Sequence, residues 1–272
     1  MAARRPYLDR TPVALAHRGG ALYGPNVGLE NTMTAFTNAV SLGYTHLETD
    51  VHLTRDGRLV AFHDSRLDRV SDRVGRLRDL SWSEVSEARL GGGPGHAGAA
   101  GTERPPLLEE VVDAFDDVCF NVDLKAPGTA RALWRLIEER GLHDRLCVGS
   151  FHQRHLSQFR SLSRGRVATA SGVAGTALLR LSPSWLTALL RTPADVLQVP
   201  GFVPFRGRRI MLVTEGFVAD AHQHDKQVHV WTVDDPAEMH RLLDLGVDGL
   251  VSDRIDVLKE VLLARGSWTG TP

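Results

Sequence analysis

Short apolar runs alternate along the chain with longer segments in which apolar residues recur every three to four positions. The runs at 13–16, 47–51, 119–124, 146–151, 167–170, 196–199, 228–233 and 249–251 read as strands. Segments 31–42, 107–115, 129–140, 154–162, 214–224, 236–245 and 255–264 carry the helical period. Gly43, Gly141 and Gly246 stand just past three of them, where a left-handed glycine can close a helix. Strand then helix, repeated, predicts a parallel α/β sheet, and eight strands is the number a closed barrel needs. At 272 residues the whole chain, 1–272, fits one such domain with a core over 13–264. The rhythm breaks once, in an insertion over residues 65–106. Within it "GGGPGHAGAAG", residues 91–101, is too rich in glycine and alanine to pack a core. It reads as a mobile loop, with an active-site lid as the alternative.

Charge enters the strand pattern in "LETDVHLTRDGRLVAFHD", residues 47–64. Side chains alternate along a strand, so Glu48 and Asp50 share one face while Leu47, Thr49 and Val51 share the other. In a barrel the apolar face meets the helices, and the carboxylates face the axis near the strand's C-terminal end, where such folds place their sites. Two carboxylates there repel each other and lose hydration, so something positive must lie between them. "NVDLK" repeats the spacing and adds Asp123 and Lys125 on one face. Three oxygen ligands without histidine or cysteine at ligand spacing favour a hard divalent cation, Mg2+ or Ca2+, over zinc. A structural use stays open, since Lys125 could simply neutralise Asp123.

Two histidines stand at strand ends, His17 beside Arg18 in "ALAHRGG" and His63 beside Asp64 in "VAFHD". Near neutral pH such a pair suits an acid and a base, and the Arg18 fork suits a phosphate. His46, His52, His143, His152 and His222 read as ordinary strand-start, loop or helix-surface residues, although His52 shares the parity of Glu48 and Asp50.

Composition narrows the partners. Thirty-two basic against 33 acidic residues leave a net charge of -1, so no global field favours nucleic acid or an anionic membrane. No run approaches the roughly 18 apolar residues of a membrane span, and the first residues lack a signal-peptide core. Cys119 and Cys147 sit in strand-like runs, where buried thiols suit a reducing cytoplasm. A soluble protein acting on small molecules is expected; oligomeric state leaves no trace in the pattern.

Taken in order, "HRGG", "ENT" at 30–32, "ETDVHLTRDGRLVAFHD", "NVDLK", "VWTVDD" and "GVDGLVSD" resemble the glycerophosphodiester phosphodiesterases, across nearly the entire chain. The resemblance implies a TIM (β/α)8 barrel and metal-dependent hydrolysis of glycerophosphodiesters to glycerol 3-phosphate and an alcohol. By position it implies metal ligation by Glu48 and Asp50, with Asp123 where the family usually has glutamate. His17 and His63 match its acid and base pair, and Arg18 and Lys125 its phosphate-binding cations. Glu30 matches an acid near the metal and glycerol pocket, and Trp231 an aromatic wall against the glycerol. Two positions depart from the pattern: Leu29 replaces the proline of "PENT", and Asp123 is one methylene short. That bond of about 1.5 Å is large against a cation held at roughly 2.0–2.6 Å, so either the ion shifts or a water bridges. Alternative readings are a lysophospholipase D-like phosphodiesterase, which needs an apolar ramp for an acyl chain, and a non-catalytic phosphate- and metal-binding barrel. A metal amidohydrolase would ask for a His-x-His pair where this chain has His17-Arg18.

Overall fold

The computed structural model describes residues 6–91, 103–171, 192–205 and 208–271. In chain order its strands are β1 (Val13–His17), β2 (His46–Leu53), β3 (Leu59–Ala61), β4 (Cys119–Leu124), β5 (Leu146–Gly149), β6 (Ala168–Thr169), β7 (Val196–Pro200), β8 (Phe202–Phe205), β9 (Arg208–Met211), β10 (Gln227–Trp231) and β11 (Gly249–Ser252). Eight of them run in the order β6-β5-β4-β2-β1-β11-β10-β7, each parallel to its neighbours. A parallel bridge between Ala170 and Val196 brings the two ends together. The result is a nearly closed TIM barrel, built from the eight runs that the apolar pattern marks.

The α-helices among the described residues are α1 (Met33–Ser41), α2 (Trp82–Ser86), α3 (Leu108–Ala114), α4 (Thr129–Arg140), α5 (Gln153–Ser163), α6 (Glu215–Gln223), α7 (Pro236–Asp244) and α8 (Ile255–Ala264). Their starts are chemically marked. Thr32, Thr214 and Asp235 accept hydrogen bonds from the backbone of Ala35, Phe217 and Glu238, satisfying donors that the first helical turn leaves over. Asn31 takes a left-handed φ of 58°, which delays α1 to Met33. The outward faces of the strands, with Leu47, Val51, Phe120 and Val122, pack on helix residues such as Phe36, Leu133 and Leu258 in one apolar cluster. No helix among the described residues is long and apolar enough to cross a membrane.

Two regions depart from the sequence reading. The described part of the insertion is a packed unit: Leu67, Leu77, Val85 and Leu90 bury themselves in a separate core with Phe62, which directly follows β3, itself paired antiparallel with β2. Its apolar residues are too irregularly spaced to reveal this beforehand. The mobile loop expected at 91–101 lies, apart from Gly91, outside the described residues. The second departure is the antiparallel hairpin of β8 and β9, which follows β7 directly.

Candidate active site

Register assembles the site. Parallel pairing sets His17, the last residue of β1, beside Glu48, and Asp50 beside Asp123 near the C-terminal end of β4. The three acids are buried. After β1 the chain turns through Arg18, Gly19 and Gly20, all at positive φ. A Cβ at Gly19 would lie 2.8 Å from the Ala35 Cβ, so only glycine lets the turn press on α1. The turn aims the Arg18 amide at Glu48, donating to its carbonyl at 3.0 Å and to its Oε2 at 3.1 Å. Asn31 braces the other side: its Oδ1 accepts from Thr49 Oγ1 at 2.7 Å, and its Nδ2 donates to Asp50 Oδ2 at 3.4 Å.

Positive charge is supplied by two side chains. Lys125 Nζ lies 2.9 Å from Asp50 Oδ1 and 2.7 Å from Asp123 Oδ2. Arg18 Nε stands 3.2 Å from Asp50 Oδ2, though not aligned for a hydrogen bond, and its Nη1 donates to Glu30 at 3.2 Å. Burial works against the charge on Asp50, but Lys125 and Arg18 outweigh it and hold that carboxyl below its ordinary value. Burial likewise opposes the charge on Lys125, and Asp50 and Asp123 overcome it and raise the ammonium. The other acids are less well served. Burial and the Asp50 charge push Glu48 up to about 7, and burial lifts Asp123 in spite of Lys125. Asp123 Oδ1 is buried with no hydrogen-bond partner. The carboxylates are therefore short of positive charge, and their all-oxygen donor set fits a hard divalent cation. As the side chains stand, no three His, Cys, Asp or Glu groups among the described residues are gathered to hold one. Lys125 lies between Asp50 and Asp123.

Each histidine is fixed through Nδ1. His17 Nδ1 meets Asp253 Oδ1 at 2.7 Å and His63 Nδ1 meets Asp64 Oδ1 at 2.6 Å. Asp253 is itself held by Asp234, whose Oδ1 accepts from the Asp253 amide at 2.8 Å and from Ser252 Oγ at 2.9 Å. His17 Nε2 lies 3.8 Å from Glu48 Oε2. Burial alone would lower the His17 pKa, but the Glu48 charge and the Asp253 hydrogen bond raise it.

The insertion contributes Arg69, which the sequence reading misses. Its Nη atoms grip both Glu30 oxygens at 2.8 and 2.6 Å, while its Nε donates to Asp64 Oδ2 at 2.5 Å. One guanidinium thus ties Glu30 to the acid that orients His63. A cavity of about 700 Å³ opens here, lined by His52, His63, Arg69, Lys125, Phe151 and His152 among others. Trp231 stands against Phe151, with ring centroids 5.4 Å apart. His52 and His152, read from sequence as ordinary residues, both reach this wall; His52 is tied to the His63 carbonyl at 3.1 Å. His46 is buried against the Tyr7 carbonyl, and His143 and His222 pair with surface acids, as expected of structural histidines. Asp253 had one visible signal, an acid immediately after the last strand in "LVSD". Arg69 had none, because only the insertion's own core brings it to Glu30.

A model of the glycerophosphoryl diester phosphodiesterase family matches residues 17–257. A Mycobacterium tuberculosis protein named "Probable glycerophosphodiester phosphodiesterase 2" is 36% identical over 268 residues, spanning 95% of this chain and 93% of its own. A glycerophosphodiester phosphodiesterase of Caldanaerobacter subterraneus subsp. tengcongensis is 30% identical over 253 residues, spanning 90% and 96%. Among solved structures, an Oleispira antarctica phosphodiesterase in complex with the product sn-glycerol-3-phosphate has the same fold. It aligns with a TM-score of 0.74 at 22% identity, over 93% of this chain and 97% of that one. With the barrel and these similarities together, the chain belongs to the glycerophosphoryl diester phosphodiesterase family.

Proposed function

We propose that this chain hydrolyses glycerophosphodiesters to glycerol 3-phosphate and an alcohol. In this reading His17 and His63 transfer the protons, and Glu48, Asp50 and Asp123 hold a divalent cation, Mg2+ or Ca2+. The observation that carries the reading is a pair of histidines, each pinned through Nδ1 by a carboxylate, beside a buried acid row short of positive charge. The family relatives support the reaction.

With Nδ1 bound to an acid, each imidazole keeps Nε2 for a substrate proton, and the carboxylate stabilises the imidazolium that forms. One histidine takes the proton of the attacking hydroxyl while the other gives one to the departing alkoxide. Arg18 and Lys125 offer fixed positive charge to the phosphate. Glu30, already gripped by Arg69, accepts from glycerol hydroxyls, and Trp231 walls the carbon backbone of the glycerol. The cavity beside His63 receives the alcohol. When bound, the cation neutralises charge on the phosphoryl oxygens as a Lewis acid. The attacking group is a water or the substrate's own 2-hydroxyl; a cyclic phosphate appearing before glycerol 3-phosphate marks the second route.

We also read the chain as one cytoplasmic domain. Bonds from the insertion to the barrel, such as the Arg55 amide to the Leu80 carbonyl and Arg69 to Glu30, support the first point. The buried Cys147 side chain supports the second.

The test is release of glycerol 3-phosphate from glycerophosphocholine and glycerophosphoethanolamine, with chelator and then Mg2+ or Ca2+ restored. Activity that falls with chelator and returns with the cation is expected. Turnover of lysophosphatidylcholine alone would favour the lysophospholipase D-like reading, and no turnover on any of these would favour a binding barrel.

A further inference from the structure

Eight large apolar side chains among the described residues are exposed, and they are not scattered. Six of them, Leu22, Val27, Phe151, Phe202, Ile210 and Met211, stand on the segments that leave the C-terminal ends of β1, β5 and β7. That is the end of the barrel where the site lies. The remaining two are on the insertion and the last helix. Leu22 donates its amide to the Asp253 carbonyl at 3.1 Å, next to the partner of His17. Phe151 is 52% exposed although it lines the cavity and packs edge-on against Trp231. The mouth of the site thus has a rim of apolar groups facing water, where an isolated soluble enzyme would place polar ones.

Charge says what covers this rim. The hairpin segment "GFVPFRGRRIMLVT", residues 201–214, contains three arginines and no acid. On the insertion Arg66 pairs with Asp68, Arg69 with Asp64 and Glu30, and Arg73 with Glu87. Arg209 instead lies over the Phe202 ring, 3.6 Å from its centroid, and meets no carboxylate among the described residues. An arginine without a carboxylate partner, set among exposed Phe202, Ile210 and Met211, is the kind of side-chain set that settles into a lipid headgroup layer. The apolar groups enter the acyl boundary, and the guanidinium groups stay with the phosphates. The chain's net charge of -1 hides this, because the excess is local.

We propose that the mouth of the barrel docks reversibly on an anionic phospholipid surface through the β8–β9 hairpin and the β1–α1 turn. The choice of lipid over an acidic protein rests on the proposed reaction, whose substrates are phospholipid backbones stripped of acyl chains. Docking would place the mouth where such molecules are released, so a deacylating hydrolase acting on the bilayer is the class of reaction that supplies this site.

The test is flotation of the purified protein with vesicles of phosphatidylcholine, with and without phosphatidylglycerol, at low and high salt. Retention only on the anionic vesicles, weakened by salt, is expected. Arg209→Glu reverses one charge and should lower retention about tenfold or more. Ile210→Ser with Met211→Ser, and separately Leu22→Ser on the other segment, should lower it as well. Glycerol 3-phosphate release from dissolved glycerophosphocholine should be unchanged in all three. No preference for anionic vesicles, equal retention by all variants, or a solution dimer that Ile210→Ser dissolves would each overturn the inference. Retention is read without turnover, so its failure is distinct from failure of the hydrolytic reading.

Discussion

Asp253 and Asp64 decide what His17 and His63 can do, because an imidazole held at Nδ1 keeps one tautomer and one direction. Replacing Asp253 by asparagine keeps the size but removes the charge, and the amide can present its donor to the ring. Steady-state kinetics of Asp253→Asn should show kcat lower by about 10- to 100-fold, by analogy with lost outer-shell carboxylates, with KM little changed. A rise in KM with kcat unchanged would assign Asp253 to substrate binding instead. At this scale the sequence was informative wherever a local rule applied. Strand parity alone separates Glu48, Asp50, Asp123 and Lys125 from the scaffold residues between them. It is silent on Asp253 as the partner of His17, since that contact spans 236 positions and exists only when β1 and β11 pair.

At the scale of elements, the barrel strands were legible because a parallel sheet covered on both faces demands continuous apolar runs. The short antiparallel pieces were not. β3 is three residues long, and its pairing with β2 is fixed by the insertion core behind it. That core also sets the position of Arg69. Leu67 is fully buried in it, two positions before Arg69, whose guanidinium joins Glu30 to Asp64. Leu67→Ala should cost about 2 to 5 kcal/mol in the insertion. Hydrogen exchange should speed up over residues 60–91 while the barrel strands stay protected, and KM should rise as Glu30 loses its clamp. Uniform loss of protection would show that insertion and barrel unfold as one unit.

The molecule as a whole buries a histidine at the opposite end of the barrel from the site, and that burial ties its stability to pH. His229 is fully buried near the start of β10, its Nδ1 without a partner, its ring packed where a Cβ on Gly249 would lie 2.7 Å from Cδ2. Burial and neighbouring His46 push it down to about 3 from 6.5. The unfolded chain therefore binds this proton at a higher pH than the folded one. The stability that neutral His229 confers is present above pH 6.5 and declines as pH falls towards 3, by up to about 1.4 kcal/mol per pH unit. Urea midpoints should fall from pH 6.5 to 4.5 in the wild type and fall less steeply in His229→Gln; equal slopes would remove His229 as the cause. The central claim, however, concerns the other end of the barrel, where two pinned histidines flank the carboxylate row. Its most direct measurement is glycerol 3-phosphate release from glycerophosphocholine by His17→Ala and His63→Ala at saturating Mg2+ or Ca2+. Each should be slower than the wild type by about 10²-fold or more, and either variant remaining within a few-fold of the wild type would contradict the account.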